Sequence, residues 1–344
     1  MITDSIKKLV LGQTLEESEI TKAMFQIMEG QATPAQIACF LTALRMKGES
    51  ASDIYAAAKV MREKASHISI PNNAMDLCGT GGDGLQTFNV STTASFIVAG
   101  ADIPIAKHGN RGVSSISGSA DILEALGVNT TLEPLEVEKC INKIGIGFLF
   151  APIFHKAMKH TVVVRREIGI RTVFNILGPI TNPANVKYQL LGVYDKDLTE
   201  KLAEVLKRFG AINALVVNGS GLDEITTTEK TKISELKNGS IKTYYLTPEE
   251  VNIRRAKIKE LKGGTPEENA RITLEVLEGN ESPYTDITVL NAGAALYISG
   301  KASDIASGVE IAKEILESGI PKRKLDKLIE FTSKYNKVLN EASE

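Results

Sequence analysis

The densest chemical signal in the chain is the turn CGTGGDG, residues 78–84, with four glycines and one carboxylate in seven positions. Glycine-rich turns bind anions because their backbone N–H groups can point at a ligand without side chains in the way. Asp83 is unexpected there, since its negative charge should repel a phosphate. The turn lacks the Gly-Lys-Ser/Thr of a P-loop. We predict a ligand-binding turn of another kind.

Polar residues continue from this turn into the start of the following helix. Asn89, Ser91 and Thr92 occupy positions where hydroxyl groups and free backbone N–H groups can together bind an anion. Ordinary N-capping of the helix is the alternative reading, and one of these side chains could serve both purposes.

A second cluster, KHGNRGVSSISGS, follows the next predicted strand and spans residues 107–119. Two cations, an imidazole, four serines and three glycines within thirteen residues are typical of a site for a polyanion. The alternative is a solvated surface loop, but such loops rarely combine these residue types at the end of a strand.

Two further groups are less specific on their own. Asp223 and Glu224 follow a third strand, and adjacent carboxylates suit Mg²⁺, although acidic pairs often only face water. Arg165 and Arg166 lie on a predicted helix and point in different directions, so we expect at most one of them in a pocket. His67, His155 and His160 lack metal-ligand spacing, and we predict no metal site from them.

The elements that must position these residues change character along the chain. Residues 1–66 show only helical patterns, with N-terminal signals at Thr14, Thr33 and Ser50. From residue 74 strands alternate with helices, and KNGS at residues 237–240 indicates a hairpin turn. We predict an α/β fold: a small helical domain, residues 1–66 with a contribution from about 170–188, and a large domain, residues 74–344, with a mainly parallel sheet flanked by helices.

The composition argues against nucleic acid and membranes as partners. The 344 residues carry a formal net charge of −2, which gives no electrostatic basis for nucleic acid or a membrane surface as a partner. No apolar run is long enough for a membrane span, and no signal-peptide core is evident. Three scattered cysteines, which we expect to be buried packing residues, fit a reducing, cytoplasmic compartment.

Three stretches of the sequence resemble the anthranilate phosphoribosyltransferase family: DLCGTGGDGLQTFNVST, KHGNRGVSSISGSADILEALG and VRREIGIRTVFNILGPITNP. The resemblance extends over essentially the whole chain. It implies a homodimer joined through helical domains, with the active site at a hinge between the two domains. It also implies transfer of a phosphoribosyl group from phosphoribosyl pyrophosphate (PRPP) to anthranilate, with inversion at C1 and with Mg²⁺ bound to pyrophosphate.

The resemblance also assigns residues, each by its matching motif. Binding of PRPP is implied for Gly79, Gly82, Asp83, Thr87, Asn89, Val90, Ser91, Thr92, Lys107, His108, Gly109, Asn110, Arg111, Gly112, Val113, Ser114, Ser115 and Ser119. Binding of anthranilate is implied for Gly79, His108, Asn110 and Arg165, and binding of Mg²⁺ for Ser91, Asp223 and Glu224. No general base is expected, because the aniline nitrogen is a neutral nucleophile that loses its proton after attack. Asp83 is left with two roles, holding ribose hydroxyls or serving the metal.

Two other functions are compatible with parts of this pattern. A pyrimidine nucleoside phosphorylase shares the architecture but uses inorganic phosphate, so it has less use for a magnesium site at Asp223 and Glu224. A non-catalytic, nucleic-acid-binding paralogue should be basic and should have lost the motifs, whereas this chain is slightly acidic and retains them.

Overall fold

The computed structural model of this protein describes residues 1–112 and 116–335. The N-terminal region consists of helices only, as predicted: α1 Ile2–Val10, α2 Glu17–Met28, α3 Pro34–Lys47 and α4 Ala51–Glu63. The hydroxyls of Thr33 and Ser50 accept hydrogen bonds from backbone N–H groups three residues on, as expected of N-caps. The signal at Thr14 was wrong: α2 begins after Glu16, whose N–H donates to the Glu19 carboxylate.

The remainder is built on one seven-stranded sheet. Its strands are β1 Met75–Gly79, β2 Ile105–Gly109, β3 Ile146–Phe150, β4 Tyr188–Gly192, β5 Asn213–Asn218, β6 Thr231–Lys237 and β7 Ser240–Leu246. Their spatial order is β3-β2-β1-β4-β5-β6-β7. Neighbours from β3 to β5 are parallel, whereas β6 and β7 are antiparallel. The predicted fold class is therefore confirmed, and the hairpin turns at Asn238 and Gly239, both with positive φ.

Helices accompany the strands along the chain. They are α5 Val90–Gly100, α6 Ser119–Ala125, α7 Pro134–Ile144, α8 Ala151–Phe154, α9 Lys159–Ile168, α10 Phe174–Ile180, α11 Leu198–Arg208, α12 Pro266–Leu277, α13 Pro283–Ile298, α14 Ile305–Glu317 and α15 Ile320–Ser333. None of the helices in the described part of the chain is long and apolar enough to cross a membrane.

Both faces of the sheet are buried. Along β4 and β5, Leu190 and Leu215 pack into a core with α5, α7 and α13, while Leu191 and Val216 pack on the opposite face. This alternation follows from the two-residue period of a strand, and burial of both faces is usual in parallel sheets. The second core also contains the apolar side chains of α1 to α4 and of α10. The segment after α9 thus returns to the helical region, while the domain boundaries stay a prediction.

Parallel pairing brings the ends of the strands to one edge of the sheet. Gly79, at the end of β1, pairs with Gly192 at the end of β4, and Gly192 pairs with Val217 of β5. The loops after β1, β2 and β5, which carry the predicted functional residues, therefore emerge side by side. This is the edge at which open α/β sheets bind ligands.

One expectation about the cysteines was wrong. Cys78 and Cys140 are buried, but Cys39 on α3 is exposed, and all three are free thiols.

Candidate active site

The turn after β1 depends on its glycines. Gly81, Gly82 and Gly84 have φ of 65°, 76° and 75°, which other residues adopt only with strain. At Gly79 the requirement is close packing, because a Cβ atom there would collide with the carboxylate of Asp223. Glycine at these positions lets the chain turn sharply and lets the loop after β5, which carries Asp223 and Glu224, pack against it.

Three carboxylates converge beside this turn. Oδ2 of Asp223 accepts a hydrogen bond from the Gly81 N–H at 2.6 Å, and Oε1 of Glu224 accepts one from the Ser91 N–H at 3.0 Å. Burial and the charge of Asp83 raise the pKa of Asp223 to about 7. Burial and the charge of Asp223 raise the pKa of Glu224 to about 8. Such mutual repulsion among buried carboxylates favours binding of a cation.

The oxygen atoms beside the turn are suitable ligands for Mg²⁺ that is also bound to a polyanion. Asp223, Glu224 and the Ser91 hydroxyl offer only oxygen ligands, which Mg²⁺ prefers. Within the described ranges, no group of three or more His, Cys, Asp or Glu residues is arranged to hold a metal ion. The ion would therefore take its other ligands from water or from a bound phosphate, as Mg²⁺ commonly does.

A buried lysine lies within hydrogen-bonding distance of the Ser91 hydroxyl. Nζ of Lys107 donates to the Leu77 carbonyl at 2.6 Å and to the Ser91 hydroxyl at 3.4 Å. Burial lowers the pKa of Lys107, and the negative charges of Asp76 and Glu224 oppose that effect. Asp76 is fully buried and accepts hydrogen bonds from the His108 N–H at 3.3 Å and from Asn182 at 2.8 Å. The cationic end of Lys107 is thus held next to the hydroxyl and the carboxylates.

The neutral imidazole rings of His108 and His155 lie beside each other, and we call this pair the imidazole wall. The rings of His108 and His155 lie 5.1 Å apart, and the Nδ1 atom of His108 contacts the Gly178 carbonyl at 3.1 Å. Burial is the main cause that lowers their pKa values, to about 3 and about 4, so both rings are neutral at pH 7. Both Nε2 atoms are buried and lack a hydrogen-bond partner in the described part of the protein. Sequence reasoning considered His155 only as a metal ligand and missed its contact with His108; its only signal is its position directly after α8, the short helix that follows β3.

The depressed pKa of His155 predicts a pH dependence of stability. Its usual value is 6.5 and its folded value about 4, so the unfolded chain binds a proton first as the pH falls. The stability contributed by neutral His155 is present above about pH 6.5 and is lost toward pH 4. The difference in unfolding free energy between wild type and His155→Gln should change by about 1.4 kcal/mol per pH unit in that window. Urea denaturation at several pH values measures it, and parallel curves would contradict the prediction.

The loop after β2 is held by α6. The guanidinium of Arg111 pairs with Glu124 at 2.7 Å and with Asp121 at 3.1 Å, so in this conformation it is not available to a phosphate. Asn110 is exposed, and its backbone carbonyl accepts a hydrogen bond from the Ser119 hydroxyl at 3.3 Å. The Gly112 N–H donates to Asp121, and a Cβ at Gly109 would collide with the Ser119 hydroxyl. Val113, Ser114 and Ser115 lie outside the described residues.

The start of α5 is organised differently from a simple cap. Asn89 precedes α5 but makes no capping hydrogen bond; its amide contacts the Ser117 carbonyl and Asn269 instead. Val90 and Thr92 are buried, and the Val90 N–H already donates to the Phe88 carbonyl, whereas Ser91 is half-buried. Thr87 forms an isolated bridge with Lys262 at the rim of the turn.

The two adjacent arginines of α9 separate as their helical positions require. Arg165 is half-buried with its guanidinium 5.3 Å from the centre of the Phe174 ring, while Arg166 is exposed. Burial lowers the pKa of Arg165, which nevertheless stays cationic, and no ion pair to it occurs among the described residues. A half-buried cation without a carboxylate partner among the described residues is suited to an anionic ligand.

Comparison with protein families matches both parts of the chain. Residues 3–65 match the helical bundle domain, and residues 71–321 the a/b domain, of the glycosyl transferase family. An anthranilate phosphoribosyltransferase of Acetivibrio thermocellus is 52% identical over 338 residues, which cover 97% of this chain and 98% of the relative. That of Petrotoga mobilis is 49% identical over 330 residues, 95% of this chain and 96% of the relative.

Solved structures have the same fold. The crystal structure of anthranilate phosphoribosyltransferase from Thermus thermophilus superposes with a TM-score of 0.91 at 43% identity, covering 96% of this chain and 99% of that one. The enzyme from Saccharomyces cerevisiae, solved in complex with PRPP and Mg, gives a TM-score of 0.89 at 30% identity, with 97% and 98% covered.

Proposed function

Because this chain belongs to the anthranilate phosphoribosyltransferase family, we propose that it transfers the phosphoribosyl group of PRPP to the amino group of anthranilate, a step of tryptophan biosynthesis. The bond between ribose C1 and the pyrophosphate oxygen breaks, and pyrophosphate leaves with the electron pair. The amino nitrogen bonds to C1 from the opposite face and then releases a proton to water. The observation that carries the proposal is the meeting of Asp223, Glu224, Ser91 and Lys107 at the glycine turn.

Binding of PRPP follows from the two loops at the sheet edge. In the turn after β1, the backbone N–H groups of Gly82 and Asp83 have no acceptor among the described residues and can donate to phosphate oxygens. Lys107 supplies a fixed positive charge beside the departing pyrophosphate. Asp223, Glu224 and Ser91 would hold Mg²⁺, which when bound neutralises charge on pyrophosphate and so makes it a better leaving group.

Anthranilate would bind between Arg165 and the imidazole wall. Arg165 can donate two parallel hydrogen bonds to the substrate carboxylate, and the family resemblance implies Asn110 and Gly79 as further contacts of anthranilate. Neutral His108 presents an apolar face with no positive charge to repel the cationic C1. Orientation of a weak but neutral nucleophile, rather than removal of its proton, is then the main task of the site.

The position of Asp83 favours the metal over the ribose. Its Oδ1 atom accepts a hydrogen bond from the Leu85 N–H at 3.0 Å, and its charge acts on Asp223. We therefore expect Asp83→Asn to shift the magnesium concentration that gives maximal activity. The Michaelis constant for PRPP at saturating magnesium should change little. Initial rates at varied magnesium test this, with exposed Asp102→Asn as control; a raised PRPP KM with an unshifted optimum would assign Asp83 to the ribose instead.

The proposed activity is tested by following the loss of anthranilate fluorescence with PRPP and Mg²⁺. Uridine or thymidine with inorganic phosphate serves as the control for a nucleoside phosphorylase. Absence of fluorescence loss, or efficient phosphorolysis of either nucleoside, would overturn the assignment.

We also propose that the protein forms a homodimer and that it is cytoplasmic. Val10, Leu11 and Met46 of the helical region are more than 60% exposed, and burial of such apolar side chains in a homodimer is favourable. Light scattering coupled to size exclusion tests for the dimer. Three free thiols are consistent with the reducing cytoplasm that we propose as its compartment.

A further inference from the structure

One side chain outside the predicted site is hydrogen-bonded to the glycine turn after β1. Arg171 lies in the short segment between α9 and α10, and its Nη2 atom donates to the Gly82 carbonyl at 2.5 Å. Its guanidinium carbon lies 4.3 Å from the centre of the Tyr194 ring. A charge-assisted hydrogen bond and a cation–π contact therefore meet on one exposed arginine.

Tyr194 is itself tied to the same turn. Its backbone N–H donates to the Thr80 hydroxyl at 3.1 Å, and the Thr80 N–H donates to the Gly192 carbonyl at 3.0 Å. The turn is thus anchored at Thr80 by the end of β4 and at Gly82 by Arg171. We call the pair Arg171 and Tyr194 the turn clamp.

The clamp determines the direction of a backbone donor. A trans peptide is planar, so the Gly82 carbonyl and the Asp83 N–H point to opposite sides of it. With the carbonyl held toward Arg171, the Asp83 N–H must point away from Arg171. This peptide rotates about ψ of Gly82 and φ of Asp83, and the absence of a Cβ at Gly82 leaves its side of the peptide conformationally permissive.

We propose that Arg171 is a positioning residue for the phosphoribosyl donor: by fixing the peptide between Gly82 and Asp83, it prepares the turn for the pyrophosphate group. The inference rests on the proposed function of the turn. Arg171 follows Arg165 of α9 by six residues, so the clamp connects the end of the helix that we propose for anthranilate binding to the turn that we propose for pyrophosphate binding. Because the side chain is exposed, its contribution to folding is small compared with its effect on the turn.

The test compares Arg171→Gln with Arg166→Gln, which removes the same charge from an exposed residue of α9 that forms no hydrogen bond, ion pair or ring contact among the described residues. Arg171→Gln should raise the KM for PRPP about tenfold, the value of one lost charge-assisted hydrogen bond. The KM for anthranilate at saturating PRPP and the melting temperature should change little. Arg171→Lys should recover part of the loss, because an ammonium can donate to Gly82 but stacks less well on Tyr194.

A second measurement separates this inference from the proposed activity. Calorimetric titration with pyrophosphate and Mg²⁺ should show about tenfold weaker binding in Arg171→Gln than in wild type. Tyr194→Leu should weaken binding less in the Arg171→Gln background than in wild type, because the two residues act together. Equal pyrophosphate affinity of wild type and Arg171→Gln would overturn the inference. A wild type that binds pyrophosphate but transfers nothing to anthranilate would count against the proposed function alone.

Discussion

Replacing Asp223 with Asn and Glu224 with Gln together should lower kcat/KM for transfer by about a thousandfold at saturating magnesium. Asp223 accepts a hydrogen bond from the glycine turn at Gly81, and Glu224 accepts one from the Ser91 N–H at the start of α5. Their amides keep the size and the hydrogen bonds to Gly81 and Ser91 N–H groups, so the fold should persist. Relief of the repulsion between buried carboxylates should even raise the melting temperature of the metal-free variant.

The same pair should also release protons when magnesium and pyrophosphate bind. With pKa values of about 7 and about 8, both carboxylates are partly protonated at pH 7, and a metal ion requires their ionised forms. Affinity for the magnesium–pyrophosphate complex should therefore rise as the pH increases through this range. Calorimetry in buffers of different ionisation enthalpy measures the proton release, which should diminish in the double variant.

The control for this experiment removes two negative charges elsewhere. Glu278 and Glu281 are exposed near the end of α12, and their replacement by Gln should leave activity and proton release unchanged. An unaltered magnesium titration in the Asp223 and Glu224 variant would remove these residues from the metal site.

Replacing Arg165 with Ala should raise the KM for anthranilate about fiftyfold while kcat at saturation changes about threefold or less. Arg165 has no carboxylate partner in the described part of the chain, and it is held on the Phe174 ring. The substrate carboxylate would supply the missing negative charge. Arg165→Lys should recover only part of the affinity, because an ammonium cannot form the two parallel hydrogen bonds of a guanidinium.

A change in the substrate gives the matching test. 2-Aminobenzamide keeps the nucleophilic amine but lacks the negative charge, so Arg165→Ala should affect its use far less than that of anthranilate. Arg166→Ala is the control, because its side chain is exposed on the same helix. Lost turnover with an unchanged anthranilate KM would show that the assigned role of Arg165 is wrong.

Much of the fold and of the candidate site follows from local sequence signals. The N-caps at Thr33 and Ser50 and the hairpin turn at Asn238 depend on side chains or dihedral angles within a few residues. Alternation of strands and helices implies a parallel sheet, and a parallel sheet brings the loops after β1, β2 and β5 to one edge. The sequence therefore predicts that these three loops carry ligand-binding residues, and that the residues suit a polyanion with Mg²⁺.

Only the tertiary structure decided which side chains of those clusters meet. The His155 ring lies tilted against that of His108, Arg111 pairs with Glu124, and Arg171 donates to Gly82, although none of these contacts has a local signal. The raised pKa of Asp223 likewise depends on burial and on the charge of Asp83, a residue far away in sequence, and burial is also the main cause that raises the pKa of Glu224. Sequence determines residue type and local conformation, whereas pairing and burial arise from contacts between distant segments, which no local pattern encodes.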